Sequence, residues 1–164
     1  GNNININTSG NIINDNFSEI IAGNNLDLVS NSGSIVNKSK LKADGAMIIS
    51  AANNVYNIAS VKTNDANLLN EFSGISPYSV NNATVRESGN ISSKLIENAS
   101  ISSTSLIVSA GNDFNNYGSD ITTTGNTTIN AGNNVNISTV KLRNRRDYKD
   151  KSITSITDET KNIG

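Results

Sequence analysis

Apolar residues alternate with polar ones in short runs along the chain: "INI" from Ile4, "LDL" from Leu26, "LIV" from Leu106 and "VNI" from Val135. Period two marks a strand with one buried face. The runs themselves recur. Ile4, Leu26, Met47, Leu106 and Thr127 start equivalent stretches about 21 residues apart, except for the long gap after Met47. A second apolar position follows each start, at Ile12, Ile35, Val55, Phe114 and Val135, and a third at Ile20, Leu41, Val61, Ile121 and Val140. A shift of 80 residues places Leu26 on Leu106, Leu28 on Val108, Leu41 on Ile121, Asn53 and Asn54 on Asn133 and Asn134, and Val55 on Val135.

Three short strands per unit cannot each find a hairpin partner, but stacking successive units in parallel pairs every strand with its equivalents before and after. The predicted fold is therefore all-β: a right-handed parallel β-helix, a solenoid of about 21 residues per coil, with one or two extruded loops or β-hairpins. Each coil lengthens such a rod by about 4.8 Å, so five or six coils reach about 25 to 30 Å. One domain over 1–164 is expected, read as a fragment of a longer chain because it opens inside a repeated phrase.

That phrase is "AGNNVNIS" from Ala131, with relatives "GNNINI" from Gly1, "AGNNLDL" from Ala22, "AANNVYNI" from Ala51 and "AGNDFNN" from Ala110. It reads as a corner followed by a strand. Gly and Asn accept a left-handed backbone most readily, which suits corners. Recurring corners would also stack asparagines outside the coil, where their amides can donate and accept along the column.

Two stretches break the pattern. Residues 62–84 hold the sole proline, Pro77, and the aromatics Phe72 and Tyr78; "LLNEFSGISPY" reads as two segments around Gly74 and Pro77, an extruded loop or hairpin. The coil is expected to resume near Val85, with Ile101 falling where a third strand belongs. Residues 141–164 form the second excursion, a basic hairpin or tail in which alternation returns at "KSITSIT". Phe72 and Tyr78 are the candidate residues of the first projecting loop.

Composition narrows the chemistry. Asparagine makes up about a fifth of the chain, far above ordinary usage. High Ile content and a net charge of -1 argue against disorder. Near neutrality also removes the general argument for nucleic acid, which requires an excess of Lys and Arg. Without cysteine there is no disulfide framework or thiolate zinc site, and without histidine there is neither a Ser-His-Asp triad nor imidazole ligation. No cofactor or metal is expected. No apolar run approaches the ~20 residues of a membrane-spanning helix.

Paired carboxylates could still support acid–base chemistry of the kind used on polysaccharides, with Asp27, Asp44, Asp113 and Asp120 as candidates. Asp27 alternates outward in "LDL" and the others sit at or near corners, positions where a solvated or turn role suffices; no catalytic residue is assigned. The densest cluster is "RNRRDYK". Its residues Arg143, Arg145, Arg146, Tyr148 and Lys149 are the candidate surface for a glycan, anionic lipid headgroups or an acidic partner.

The units "AGNNLDLVSNSGSIVNKSKLKADGAMIISAANNVYNIAS" and "SLIVSAGNDFNNYGSDITTTGNTTINAGNNVNIS" resemble the haemagglutinin repeats of filamentous-haemagglutinin-like exoproteins of bacterial two-partner secretion, a group that includes contact-dependent inhibition toxins. The likeness spans roughly Ile20 to Val61 and Ile101 to Val140. The usual "GGD" corners are mostly "GNN" here, and the excursion from Lys62 is longer and more apolar than is typical. The resemblance implies export through a dedicated outer-membrane transporter and placement at the bacterial cell surface or outside the cell. It also implies a long rod serving adhesion or carrying a C-terminal toxin to a neighbouring cell. The expected role is thus structural and non-enzymatic. The rival expectation is a β-helical protein that binds or cleaves polysaccharide.

Overall fold

The structure is a computed structural model that describes the backbone of residues 1–66, 79–80, 83–84, 86–149 and 154–164, and the side chains of 1–63, 92–146 and 156–164. Among the described residues the chain is all-β, and most of it winds into a parallel β-solenoid of about five coils. The first coil holds β1 (Ile4–Thr8), β2 (Ile12–Asn14) and β3 (Glu19–Ala22), and the second holds β4 (Leu26–Ser30), β5 (Ile35–Asn37) and β6 (Lys40–Ala43). The third begins with β7 (Ala46–Ala51) and β8 (Val55–Ile58), after which β9 (Ser60–Ala66) leaves the coil. A two-residue ladder of β10 (Ser79–Val80) with β11 (Ala83–Thr84) follows, then the long β12 (Arg86–Glu97). The third coil is completed by β13 (Ser100–Ser103), the fourth consists of β14 (Ser105–Ala110), β15 (Phe114–Tyr117) and β16 (Asp120–Thr123), and the fifth of β17 (Thr127–Ala131) and β18 (Val135–Ser138). Two ten-residue strands, β19 (Val140–Lys149) and β20 (Thr154–Ile163), end the chain.

The expected columns form in the first two sheets. In β1-β4-β7-β14-β17, Ile4 stands beside Leu26, Leu26 beside Met47, Met47 beside Leu106 and Leu106 beside Thr127. In the second sheet Ile12, Ile35, Val55, Phe114 and Val135 line up in the same way. Alternation puts these side chains inside, and in the central coils Leu26, Met47, Leu106 and Phe114 are 0 % exposed. In the central coils each column is a stack of apolar side chains, and removal of this surface from water drives the winding.

The third sheet departs from expectation. Its order is β3-β6-β13-β16, with Ile20 beside Leu41, Leu41 beside Ile101 and Ile101 beside Ile121. Val61 and Val140, expected in this column, open the two excursions instead. The reason is connectivity: the strand feeding β14 must end one short corner before it, and only β13 does so, as β6 does for β7. The chain therefore leaves before the third strand of the coil, not after it. Val85 itself lies outside the described residues, but β12 just beyond it pairs antiparallel with β19, so the coil resumes at Ser100 and not near Val85.

The corners are built differently from the expectation as well. Among the described residues only Phe17 (φ 61°), Gly118 (φ 58°) and Gly164 (φ 109°) have a left-handed backbone, so the "GNN" corners do not use asparagine for its conformational latitude. At two of the corners glycine permits a close approach of neighbouring coils. A Cβ on Gly111 would lie 1.9 Å from the Ala52 carbonyl oxygen of the coil before, and one on Gly132 would lie 2.0 Å from the Gly111 oxygen.

Residues 61–95 and 141–162 form a second compact unit. It is a four-stranded sheet in the order β20-β19-β12-β9. The β12–β19 register runs from Arg86 opposite Lys149 to Ser92 opposite Asn144, with a bulge between Glu87 and Gly89. The two excursions, expected as separate projections at 62–84 and 141–164, thus share one sheet, and the first extends to Leu95. Phe72 and Tyr78 lie outside the described residues.

Candidate functional site

The polar residues of the repeat serve two hydrogen-bonded ladders. One is inside. Asn14, Asn37, Asn57 and Asn116 each fall two residues after the second column's apolar position, and so share its inward parity. All four are buried. Asn14 Nδ2 donates to Asn37 Oδ1 at 2.7 Å, Asn37 Nδ2 to Asn57 Oδ1 at 2.8 Å, and Asn57 Nδ2 to Asn116 Oδ1 at 2.7 Å. The spare amide hydrogens reach carbonyls at the corner into the third sheet: Lys40, Ser39, Ser100, Asp120 and Ser119. A buried amide is tolerable only when satisfied, and here each satisfies the next. The column ends at Ile137, the register neighbour of Asn116.

The second ladder edges the corner before the second sheet. The Asn11 side chain accepts from Ser34 N–H at 2.8 Å, Ser34 Oγ from Asn54 N–H at 3.2 Å, Asn54 from Asp113 N–H at 3.0 Å, and Asp113 from Asn134 N–H at 3.1 Å. Each side-chain oxygen satisfies a backbone donor one coil further on, which explains why Asn, Ser and Asp are interchangeable at this place.

This accounts for much of the candidate acidic chemistry. Asp113 is a rung of the corner ladder and also accepts from Asn134 Nδ2. Asp44 pairs with Lys42 at 2.8 Å, and Asp120 accepts from Asn98 Nδ2 at 2.9 Å. Asp27 stands on the outward face of the first sheet between Asn5 and Ile48. The four are distributed over different strands and corners. Among the described residues no group of three or more His, Cys, Asp or Glu side chains could hold a metal ion. No helix among them is long and apolar enough to cross a membrane.

The arginine cluster lies on β19. Arg143 and Arg145, two residues apart, share one face of the sheet, while Arg146 is on the opposite face. Arg143 grips Asp158 of β20 in a two-point contact, Nε to Oδ1 at 3.0 Å and Nη2 to Oδ2 at 2.7 Å. These hydrogen bonds hold Asp158 below the usual carboxylate range; desolvation opposes them, and the charges of Arg143 and Arg145 add to the lowering. Tyr148 and Lys149 occupy β19 opposite Glu87 and Arg86, with side chains outside the described set. The basic run of the sequence is therefore split by the strand's alternation, and part of it ties β19 to β20.

Sequence reasoning, which stacked the asparagines outside the coil, missed the buried inner ladder and two further groups. Glu97 accepts from the Phe17 backbone N–H and from Ser39 Oγ, joining the first two coils where β12 gives way to β13. Phe17 itself is 77 % exposed at a turn closed by Ser18 N–H on the Asp15 carbonyl. Neither carried a spacing signal. The inner asparagine ladder did carry one, in "IIN", "IVN", "VYN" and "FNN". No family model, curated protein or solved structure matches the chain.

Proposed function

We propose that this chain is a structural and interaction segment of a secreted bacterial surface rod of the haemagglutinin-repeat type. Its work is geometric. The observation that supports this reading is that the repeated polar residues are occupied by coil-to-coil bonds, in the Asn14–Asn116 column and the Asn11–Asn134 corner. Residues so engaged make a stiff spacer, and the non-repetitive chain collects in a separate sheet suited to recognition. The rod holds that sheet, and whatever else the protein carries, at a distance from the cell, for adhesion or for delivery of a C-terminal toxin. A dedicated outer-membrane transporter is its export partner in this reading. The surface receptor in this reading is a glycan or an anionic lipid headgroup met by the basic run of β19.

The test is binding of the purified chain to glycan arrays and to phosphatidylglycerol vesicles, beside incubation with pectin and uronate polymers. Retention that falls at least about tenfold when Arg145 and Arg146 are both changed to Glu supports the proposal. Turnover of a polymer, abolished by Asp27→Asn or Asp113→Asn, would replace it with the polysaccharide-cleaving alternative.

A further inference from the structure

Among the described residues the four-stranded sheet has β20 at one edge. Every residue from Ile156 to Asn162 is exposed, Ile156 to 61 %. A long edge strand presents a row of backbone donors and acceptors ready to pair with another strand, and natural proteins guard such edges with charge. The charges on this one do more than guard.

From the edge we infer that β20 pairs antiparallel with β20 of a second copy of this chain, across a two-fold axis at Thr160. The argument is one of symmetry and charge. Two identical strands related by a two-fold axis must lie antiparallel with the axis perpendicular to the sheet, so that each face of one continues the same face of the other. Directly opposed residues share a face. A residue can therefore oppose only itself or one an even number of positions away. That rule excludes Asp158 opposite Lys161. It leaves a small set of registers, each centred on one residue.

Centring on Glu159 or Lys161 sets like charges face to face, and centring on Asp158 does the same for the carboxylate that Arg143 already holds. Centring on Thr160 places Glu159 opposite Lys161 of the second copy, and Lys161 opposite its Glu159. It also sets the two Thr160 side chains together and Asp158 opposite Asn162. Opposite charges and Thr–Thr pairs each stabilise a cross-strand contact, whereas opposed like charges destabilise it. Neither Glu159 nor Lys161 has an ion-pair partner among the described residues, while Asp158 does. One register is thus favoured and its neighbours are penalised. The product is an eight-stranded sheet spanning two copies.

Because the chain has no cysteine, the register can be read directly. In the proposed pairing the two Thr160 Cα atoms are about 4.5 to 5.5 Å apart, within disulfide reach. The two Glu159 positions are diagonal neighbours at roughly 7 to 8 Å, beyond that reach. Under mild oxidation the full chain carrying Thr160→Cys should form a covalent dimer, and the chain carrying Glu159→Cys should not.

Sedimentation of Lys161→Glu alone and of Glu159→Lys alone should give dissociation constants weaker than wild type by on the order of tenfold or more, since each turns two attractive pairs into two repulsive ones. Mixing these two variants should restore dimers, because the charges then oppose correctly. Circular dichroism of each variant checks that the strands persist. A wild-type chain monomeric at ~1 mM, the upper end of weak association, would overturn the inference. So would crosslinking as fast at position 159 as at 160, or a mixture no more associated than its components.

Discussion

The two units of the chain treat the same strand geometry in opposite ways. In the solenoid a side chain meets its own equivalent one coil away: Leu26 on Met47, Asn37 on Asn57, Asn54 beneath Asp113. In the four-stranded sheet a residue meets something unlike itself across an antiparallel pair, as Arg145 stands opposite Ile91 and Arg143 grips Asp158. Parallel stacking rewards sameness and antiparallel pairing rewards complementarity. That difference explains why the repeat is written in Ile, Leu, Val and Asn, and why the charges gather where the repeat stops.

The contrast can be broken most severely in the apolar columns. Phe114→Ala, with its side chain 0 % exposed, should lower stability by about 3 to 5 kcal/mol. Urea unfolding measures the loss, and hydrogen exchange should place it in β8, β15 and β18 while β12 and β19 keep their protection. Uniform loss of protection through both units would show that they unfold as one.

Next in size is the asparagine column. Asn57→Leu removes the acceptor of Asn37 Nδ2 and the donor to Asn116 Oδ1. A buried polar group left without its partner costs about 1 to 3 kcal/mol, and the same denaturation experiment reads it. Asn136→Leu, at a half-buried outward rung, should cost less than 1 kcal/mol on the same grounds. Equal costs at the two sites would mean that the inward column has no special standing.

Gly132→Ala tests the close approach at the corner. With its Cβ 2.0 Å from the Gly111 oxygen, the coil must shift, at a cost of about 1 to 3 kcal/mol. Full stability in this variant would show that the corners yield freely.

The smallest effect belongs to the sheet. Asp158 has a folded-state pKa lowered from its ordinary value of 3.8, so the contribution of its pair with Arg143 is present above that value and is lost as pH falls through the lower folded one. Carboxyl chemical shifts should place the Asp158 midpoint below 3.8, and Arg143→Ala should return it upward. A midpoint unmoved by Arg143→Ala would assign the shift to another group.

Much of this was legible beforehand because the solenoid repeats itself. A spacing of about 21 residues and strict alternation identify which residues are equivalent and which face inward, and equivalence in a parallel stack is contact. The inner asparagine column was legible on the same rule, since parity places the third residue of "IVN" with the first, although abundance at the corners drew the eye there. The third column was misread at Val61 and Val140 because both have the right residue type and spacing. The extent of the first excursion and the union of the two excursions were not legible, because antiparallel partners distant in the chain leave no periodic trace.

Periodicity alone determined that this chain is a stack of three-stranded coils, for a short alternating strand can bury its face and pair its backbone only against copies of itself. Tertiary structure decided where the chain leaves the stack, which strand completes the third coil, and that the two excursions share one sheet. Those outcomes depend on connectivity, on cross-strand register and on the fit of one backbone against another, and these arise only once distant segments meet.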